Sequence, residues 1–179
     1  VRFLFIISVF LTAWACQKEN RLQVPISTVA AGWVPADRDS VRFSPEFTTD
    51  SAYIRYNTLL KQWVNVSSTT SSEVITQGVQ SLAGSFLLNF RLETETPENL
   101  PTGGIARREN LTITNPLGQA YFISFYRDTI TTDLFIVDSL TIDSQLYLGV
   151  LTDNQTFYYN RQYFVFRYLD NNVWHNLIR

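Results

Sequence analysis

Strict alternation of apolar and polar residues recurs along this chain, and it limits the fold more than any other feature. From Phe86 to Leu92 the sequence FLLNFRL puts Phe86, Leu88, Phe90 and Leu92 on one side and Leu87, Asn89 and Arg91 on the other. A period of two belongs to a strand with one face in a core. Asp39 to Phe43 repeats it, with Val41 and Phe43 set against Arg42. Tyr121 to Arg127 (YFISFYR), Leu134 to Val137, Leu146 to Leu151 and Tyr163 to Leu169 (YFVFRYL) also read as strands. Several are apolar on both faces, as strands covered on both sides are. Methionine is absent while Phe, Tyr, Thr, Val and Ile abound, and β-branched and aromatic residues fit a pleated, half-buried surface.

The punctuation between these runs is turn chemistry. Asn115-Pro116-Leu117-Gly118 suits a turn with Pro at its second position, and Asp170-Asn171-Asn172 suits the left-handed geometry of a tight hairpin, so that Val173 to Ile178 returns along Tyr163 to Leu169. Pro97 to Gly104 (PENLPTGG) is the longest evident loop. One helix is expected: Thr70 to Glu73 makes a capping-box pattern, and Val74, Ile75, Gly78, Val79, Leu82 and Ala83 follow at helical spacing. Eight to ten short strands with at most one short helix leave two all-β architectures, an antiparallel barrel of lipocalin-like type or an immunoglobulin-like β-sandwich.

The N-terminus has a different character. Arg2 precedes the apolar run Phe3 to Ala13 (FLFIISVFLTA), which is shorter than the roughly 20 residues of a spanning helix and matches the h-region of a secretory signal, with small Ala13 and Ala15 before the cleavage point. Cys16, the one cysteine, follows directly in AWACQKEN. This stretch resembles the lipobox of bacterial lipoproteins, in the looser form of the Bacteroidetes type, with Ala13 where Leu is typical and Trp14 where a small residue is usual. The resemblance implies a diacylglycerol thioether on Cys16, acylation of its freed amine, and anchorage to the outer membrane of the cell envelope. Residues 1–15 then form the signal peptide, 16–25 the lipidated cysteine with a short tether, and 26–179 a single all-β domain. Gly32-Trp33, Asp39 to Phe43 and the closing Tyr163 to Tyr168 are similar, in addition, to the lipocalin-like domains of such lipoproteins.

Composition excludes several functions. The full chain has 14 Lys and Arg against 16 Asp and Glu. Loss of Arg2 with the signal leaves 13 − 16 = −3, a charge that gives nucleic acid no field to follow. A second thiol is lacking, so no disulfide is expected. The single histidine, His175, excludes a histidine-rich zinc site, and neither a G-x-S-x-G elbow nor an H-E-x-x-H pair accompanies it. His175 is expected on a strand at a surface or interface. Asp37, Asp39, Asp128, Asp133, Asp138 and Asp143 stand beside strand ends, where Asp ordinarily makes turns. Gly103 to Arg108 (GGIARR) offers amides and two guanidinium groups to an anion but lacks the Lys-Ser/Thr ending of a phosphate loop. No cofactor or metal is expected.

Phe157 to Tyr168 (FYYNRQYFVFRY) packs seven aromatics into twelve residues. Such rings either fill a core or stack on a ligand or partner, and alternation puts Phe164, Phe166 and Tyr168 on the core side. Tyr159, Tyr163 and Arg167 are the candidate ligand contacts. The expected function is non-catalytic binding of a small apolar or glycan ligand by a lipid-anchored envelope protein, with a scaffold that docks on an outer-membrane protein partner as the alternative. A binder needs a pocket with a few convergent polar groups, and a scaffold needs a filled core and an exposed apolar patch.

Overall fold

The computed structural model describes residues 21–35, 40–47, 50–82, 85–95, 98–99, 105–127 and 129–178. Residues 1–15, Cys16, Asp37, Asp39, Asp128, Gly103 and Gly104 lie outside the described residues. The fold is all-β and nearly all antiparallel. Sixteen strands are described: β1 (Leu22–Val24), β2 (Ser40–Pro45), β3 (Ala52–Tyr56), β4 (Leu60–Asn65), β5 (Thr70–Ser81), β6 (Leu87–Thr94), β7 (Glu98–Asn99), β8 (Ile105–Ala106), β9 (Arg108–Thr114), β10 (Ala120–Tyr126), β11 (Thr129–Thr132), β12 (Phe135–Ile142), β13 (Gln145–Thr152), β14 (Phe157–Asn160), β15 (Phe164–Asp170) and β16 (Val173–Leu177). One short helix, α1 (Thr28–Ala31), completes the described elements. The strands outnumber the eight to ten expected because short edge pieces and interrupted runs each count separately.

Twelve strands follow one another in the order β11-β10-β9-β6-β5-β3-β2-β16-β15-β14-β13-β12. The end strands, β11 and β12, are neighbours in sequence with only Asp133 and Leu134 between them, so the two edges of the sheet meet at this bend and the barrel nearly closes. The bend is held to β10: Thr132 Oγ1 donates to the Phe122 carbonyl at 2.7 Å, and Asp133 Oδ1 accepts from the Phe122 amide at 2.6 Å. Leu134 turns inward and is buried. The architecture is the antiparallel barrel rather than the sandwich.

Of the helix expected over Thr70 to Ala83, Ala83 lies outside the described residues and Thr70–Ser81 is instead the long strand β5. Its first half pairs with β4 and its last residues with β3, and at the switch the Asn57 amide donates to the Gly78 carbonyl at 2.8 Å. A Cβ at Gly78 would meet Asn57 Nδ2 at 2.7 Å, so glycine serves close approach here. The sheet begins within the segment 16–25, since β1 pairs in parallel with Thr70 to Ser72 of β5.

The barrel has two unlike ends. At one, α1 enters with Ser27 as N-cap, whose Oγ accepts from the Ala30 amide at 3.2 Å and donates to the Glu109 carboxylate. Ala30 and Val34 are buried there, and the Trp33 ring lies 6.0 Å from Phe125 and 6.3 Å from Tyr159. At the other end stand the β15–β16 turn, the start of β3 and the close of β5. The interior between them is filled: Phe90, Leu88, Leu92, Leu111, Ile113, Phe157 and Tyr159 are all fully buried in one cluster. A second, smaller cluster lies on the outer face of β14 to β16, beneath the β12–β13 hairpin. Strand pairing between that hairpin and β14 is limited to Leu151 and Thr152, after which the hairpin folds back as an arm, with Asn160 Nδ2 donating to the Leu148 carbonyl at 3.2 Å. Tyr147 stacks on Phe166 at 4.1 Å, and Asp143 at the arm's tip accepts from Asn176 Nδ2 at 3.1 Å.

Candidate functional site

The aromatic run does not form a single surface. Between Tyr158 and Tyr159 the register against β15 skips Phe166, a β-bulge that puts two residues of one strand opposite one of the other. Simple alternation therefore fails. Val165 and Tyr168 join the main core while Phe166 turns to the outer cluster under the arm.

The three sequence-predicted contacts are separated by this break. Tyr159 is fully buried, 5.7 Å from Phe90, and its hydroxyl donates to the Trp33 carbonyl. Burial, followed by the neighbouring Tyr56, pushes that phenol well above its ordinary range. Tyr163 sits in the turn before β15, edge-on to Tyr147 at 5.6 Å, with its amide donating to Asn160 Oδ1 at 2.8 Å. Arg167 lies on the outer face: it pairs with Glu46 at 2.8 Å and covers the rings of Trp174 at 4.6 Å and Tyr158 at 5.5 Å. Arg167 and Tyr159 thus face opposite sides of the sheet.

Other sequence candidates are tied into structure. Arg107 donates to the Pro25 carbonyl at 2.6 Å, and Arg108 lies 3.7 Å from Glu95 and over the Tyr126 ring, so the two guanidinium groups do not converge on an anion. Asp143, with Ser144, forms a left-handed two-residue turn at φ 49° and 63°. Asp133 holds the β11–β12 bend, and Asp138 lies exposed on the arm. Among the described residues no three of His, Cys, Asp and Glu cluster as metal ligands would.

The place where unlike chemistry does converge is the open end of the barrel. A cleft of about 350 Å³ there is lined by Pro45, Ser51 and Tyr53 from β2 and the entry to β3, by Ser81 and Leu82 at the close of β5, and by Tyr168, Asp170 and His175 from the last hairpin. The turn Asn171-Asn172, at φ 50° and 62°, sets Tyr168 directly opposite His175. Their rings stack at 4.6 Å and 6°. The Asp170 carboxylate accepts from both the amide and the hydroxyl of Ser85, at 3.0 and 3.1 Å.

Three lining residues carry buried polar atoms with no hydrogen-bond partner among the described residues: Tyr168 Oη, His175 Nδ1 and Ser81 Oγ. Buried polar groups are ordinarily paired, and each exception calls for a reason. Burial raises the Tyr168 phenol above its ordinary value, with the Asp170 charge adding to it, so the hydroxyl keeps its proton. Burial lowers the His175 imidazole below 6.5, partly offset by Asp170, so it stands neutral at pH 7. A neutral imidazole and a protonated phenol each offer both a donor and an acceptor. The Tyr168–His175 pair was within reach of the sequence, because counting back from the Asn171-Asn172 turn sets them opposite. The β2, β3 and β5 walls come from distant pairing and carried no local signal.

In comparison with known proteins, no family model matches the chain, and no curated protein or solved structure matches it either.

Proposed function

We propose that this is a lipid-anchored envelope protein that binds a small ligand non-catalytically, and that the ligand sits in the open-end cleft rather than on Tyr159, Tyr163 and Arg167. The observation that carries this reading is the set of buried, unpartnered Tyr168, His175 and Ser81 atoms in a cleft whose lining is mostly apolar. Ligand sites combine apolar walls with a few polar groups that fix orientation, and barrel mouths are a favoured place for them. A ligand with an apolar face and hydroxyl groups along its edge, such as a sugar ring, matches that lining. Binding rather than catalysis is favoured because His175 has no carboxylate orienting its Nδ1, while Asp170 is engaged by Ser85.

Titration of a panel of monosaccharides, disaccharides and short fatty acids, followed by NMR shifts of the His175 ring, tests the site. Saturable shifts that disappear in Leu82→Asp are expected. Saturable binding that survives Leu82→Asp and His175→Ala would move the ligand elsewhere. The anchor is tested separately: palmitate incorporation is expected in the full chain and absent in Cys16→Ser, and undiminished labelling of that variant would refute the lipoprotein assignment.

A docking role is the second reading, favoured by the exposed Phe135, Ile136, Leu146 and Leu148 of the arm together with the filled interior. An outer-membrane protein partner held there would be lost in Leu148→Lys with the cleft unaffected.

A further inference from the structure

The hairpin formed by β4 and the first half of β5 carries apolar side chains that the barrel does not use. Every residue of β4 is exposed, including Leu60 at 52%, Trp63 at 47% and Val64 at 41%, and Val66 beyond it is 37% exposed. Among the described residues β4 pairs with β5 alone. Register places Leu60 and Val64 on one face and Trp63 on the other, so no single turn of the hairpin would bury them all against the barrel. The exposed strand and its turn are poor in negative charge: residues 57–72 hold Lys61 and no Asp or Glu, in a chain with 16 acidic residues, and the one acid of the hairpin, Glu73 opposite Trp63, is engaged by the Ile26 amide at 3.0 Å.

Position gives this hairpin its meaning. Val24 of β1 and Val64 of β4 flank the same residue, Ser72 of β5, so β1 and β4 lie about two strand spacings apart, roughly 10 Å. Cys16 precedes Leu22 by six residues, a connection that reaches at most about 20 Å when fully extended. An acyl chain on Cys16 therefore holds this end of the barrel against the bilayer. From Ser72 to Ser81, beside the cleft, β5 runs nine residues, roughly 30 Å.

We propose that the β4–β5 hairpin is a foot that rests in the bilayer interface, with Trp63, Leu60, Val64 and Val66 among the headgroups and the ligand cleft held on the far side. The proposal rests on the reading of Cys16 as lipid-bearing. Tryptophan suits the interface because one end of its ring system is apolar and the other hydrogen-bonds. Lys61 on the exposed strand, with Glu73 turned to the Ile26 amide, suits an anionic surface.

The test uses the full acylated chain, in which Cys16 is blocked and an introduced cysteine is the one free thiol. A bimane label at Ser67→Cys or at Leu82→Cys is read in phosphatidylethanolamine and phosphatidylglycerol vesicles with nitroxide-bearing acyl chains. The label at 67 should be quenched at least threefold more than the label at 82. Replacing Leu60, Trp63 and Val64 together by Ser should abolish that difference while palmitate content and melting temperature stay unchanged. Equal quenching at both positions in protein that floats with the vesicles overturns the foot and leaves the anchor standing. A mass spectrum without acyl chains removes the anchor and the foot with it. Crosslinking of position 67 between two copies, without quenching, assigns the hairpin to self-association and also overturns the proposal.

Discussion

Removing the Tyr168 hydroxyl separates the ring's role from that of its polar atom. The ring belongs to the core: it lies 4.9 Å from Phe43, 4.5 Å from Phe86 and 4.6 Å from His175, and the residue is fully buried. The hydroxyl has no partner among the described residues. An unsatisfied buried polar group costs about 1 to 3 kcal/mol, while loss of one oxygen's dispersion contacts costs on the order of 0.5 to 1 kcal/mol, at about 0.1 to 0.2 kcal/mol per atom pair. Tyr168→Phe is therefore expected to stabilise the free protein by about 1 kcal/mol, which for a chain of this size is a rise of about 2 to 4 °C in melting temperature. Tyr168→Leu, which removes the ring contacts, should destabilise by about 2 to 4 kcal/mol, near the range for truncating a large buried residue. Urea unfolding with an unchanged slope gives both values. If Tyr168→Phe lost 1 kcal/mol or more, the hydroxyl would have to be bonded in the free protein, and its availability to a ligand would fall with that result. Gain of stability with loss of ligand shifts at the cleft is the signature of a group kept for binding.

Two further perturbations follow from the same geometry. Phe166→Ala should cost about 3 to 5 kcal/mol, because the ring is fully buried between Tyr147 and Tyr158; hydrogen exchange should quicken first over β12 and β13, and a loss below 1 kcal/mol would mean that the arm is not held by this ring. The folded-state pKa of His175 lies below its ordinary 6.5 through burial, so the unfolded chain binds that proton more readily: its contribution is fully present above about pH 6.5 and declines as pH falls through the folded value. Melting temperatures at pH 7.5 and 5.5 should differ less in His175→Gln than in the parent, and an identical difference would remove His175 from the pH dependence.

The strands were legible wherever one face is wet. Leu87 to Thr94 alternates exposed and buried along most of its length, and its sequence pattern reports that directly. β5 was misread because it is covered on both sides near its start: Val74 and Ile75 are adjacent and both buried, so apolar residues occupy both parities and imitate helical spacing. The bulge at Phe166 was illegible for a different reason. A skipped residue is decided by the partner strand, and the sequence FVFRY is compatible with either register. The arm is another long-range result, since nothing near Tyr147 specifies that it will lie on Phe166. In the cleft, the two residues joined by a tight turn could be placed by counting, and those brought in by β2, β3 and β5 could not.

The location of the cleft follows from how a wide barrel avoids an empty centre. Barrel diameter grows with strand number, and about eight strands already enclose only enough room for side chains. A wall of more than eight strands would leave a lumen, and an apolar void forfeits dispersion contacts on every wall. Two devices close it here. Large rings meet across the middle, Phe90 against Tyr159 at 5.7 Å and Tyr121 against Phe157 at 6.4 Å, which draws opposite walls together. At one end α1 and Trp33 enter as a plug, fixed by Ser27 on Glu109 and by the Tyr159 hydroxyl on the Trp33 carbonyl. The other end has no counterpart to that plug among the described residues, and there the wall residues Tyr168, His175 and Ser81 are left with unpaired polar atoms. The aromatic richness that fills the centre thus leaves space within the described part of the barrel at the unplugged mouth, so a ligand-binding role for the barrel itself depends on the last hairpin and the end of β5 rather than on the interior.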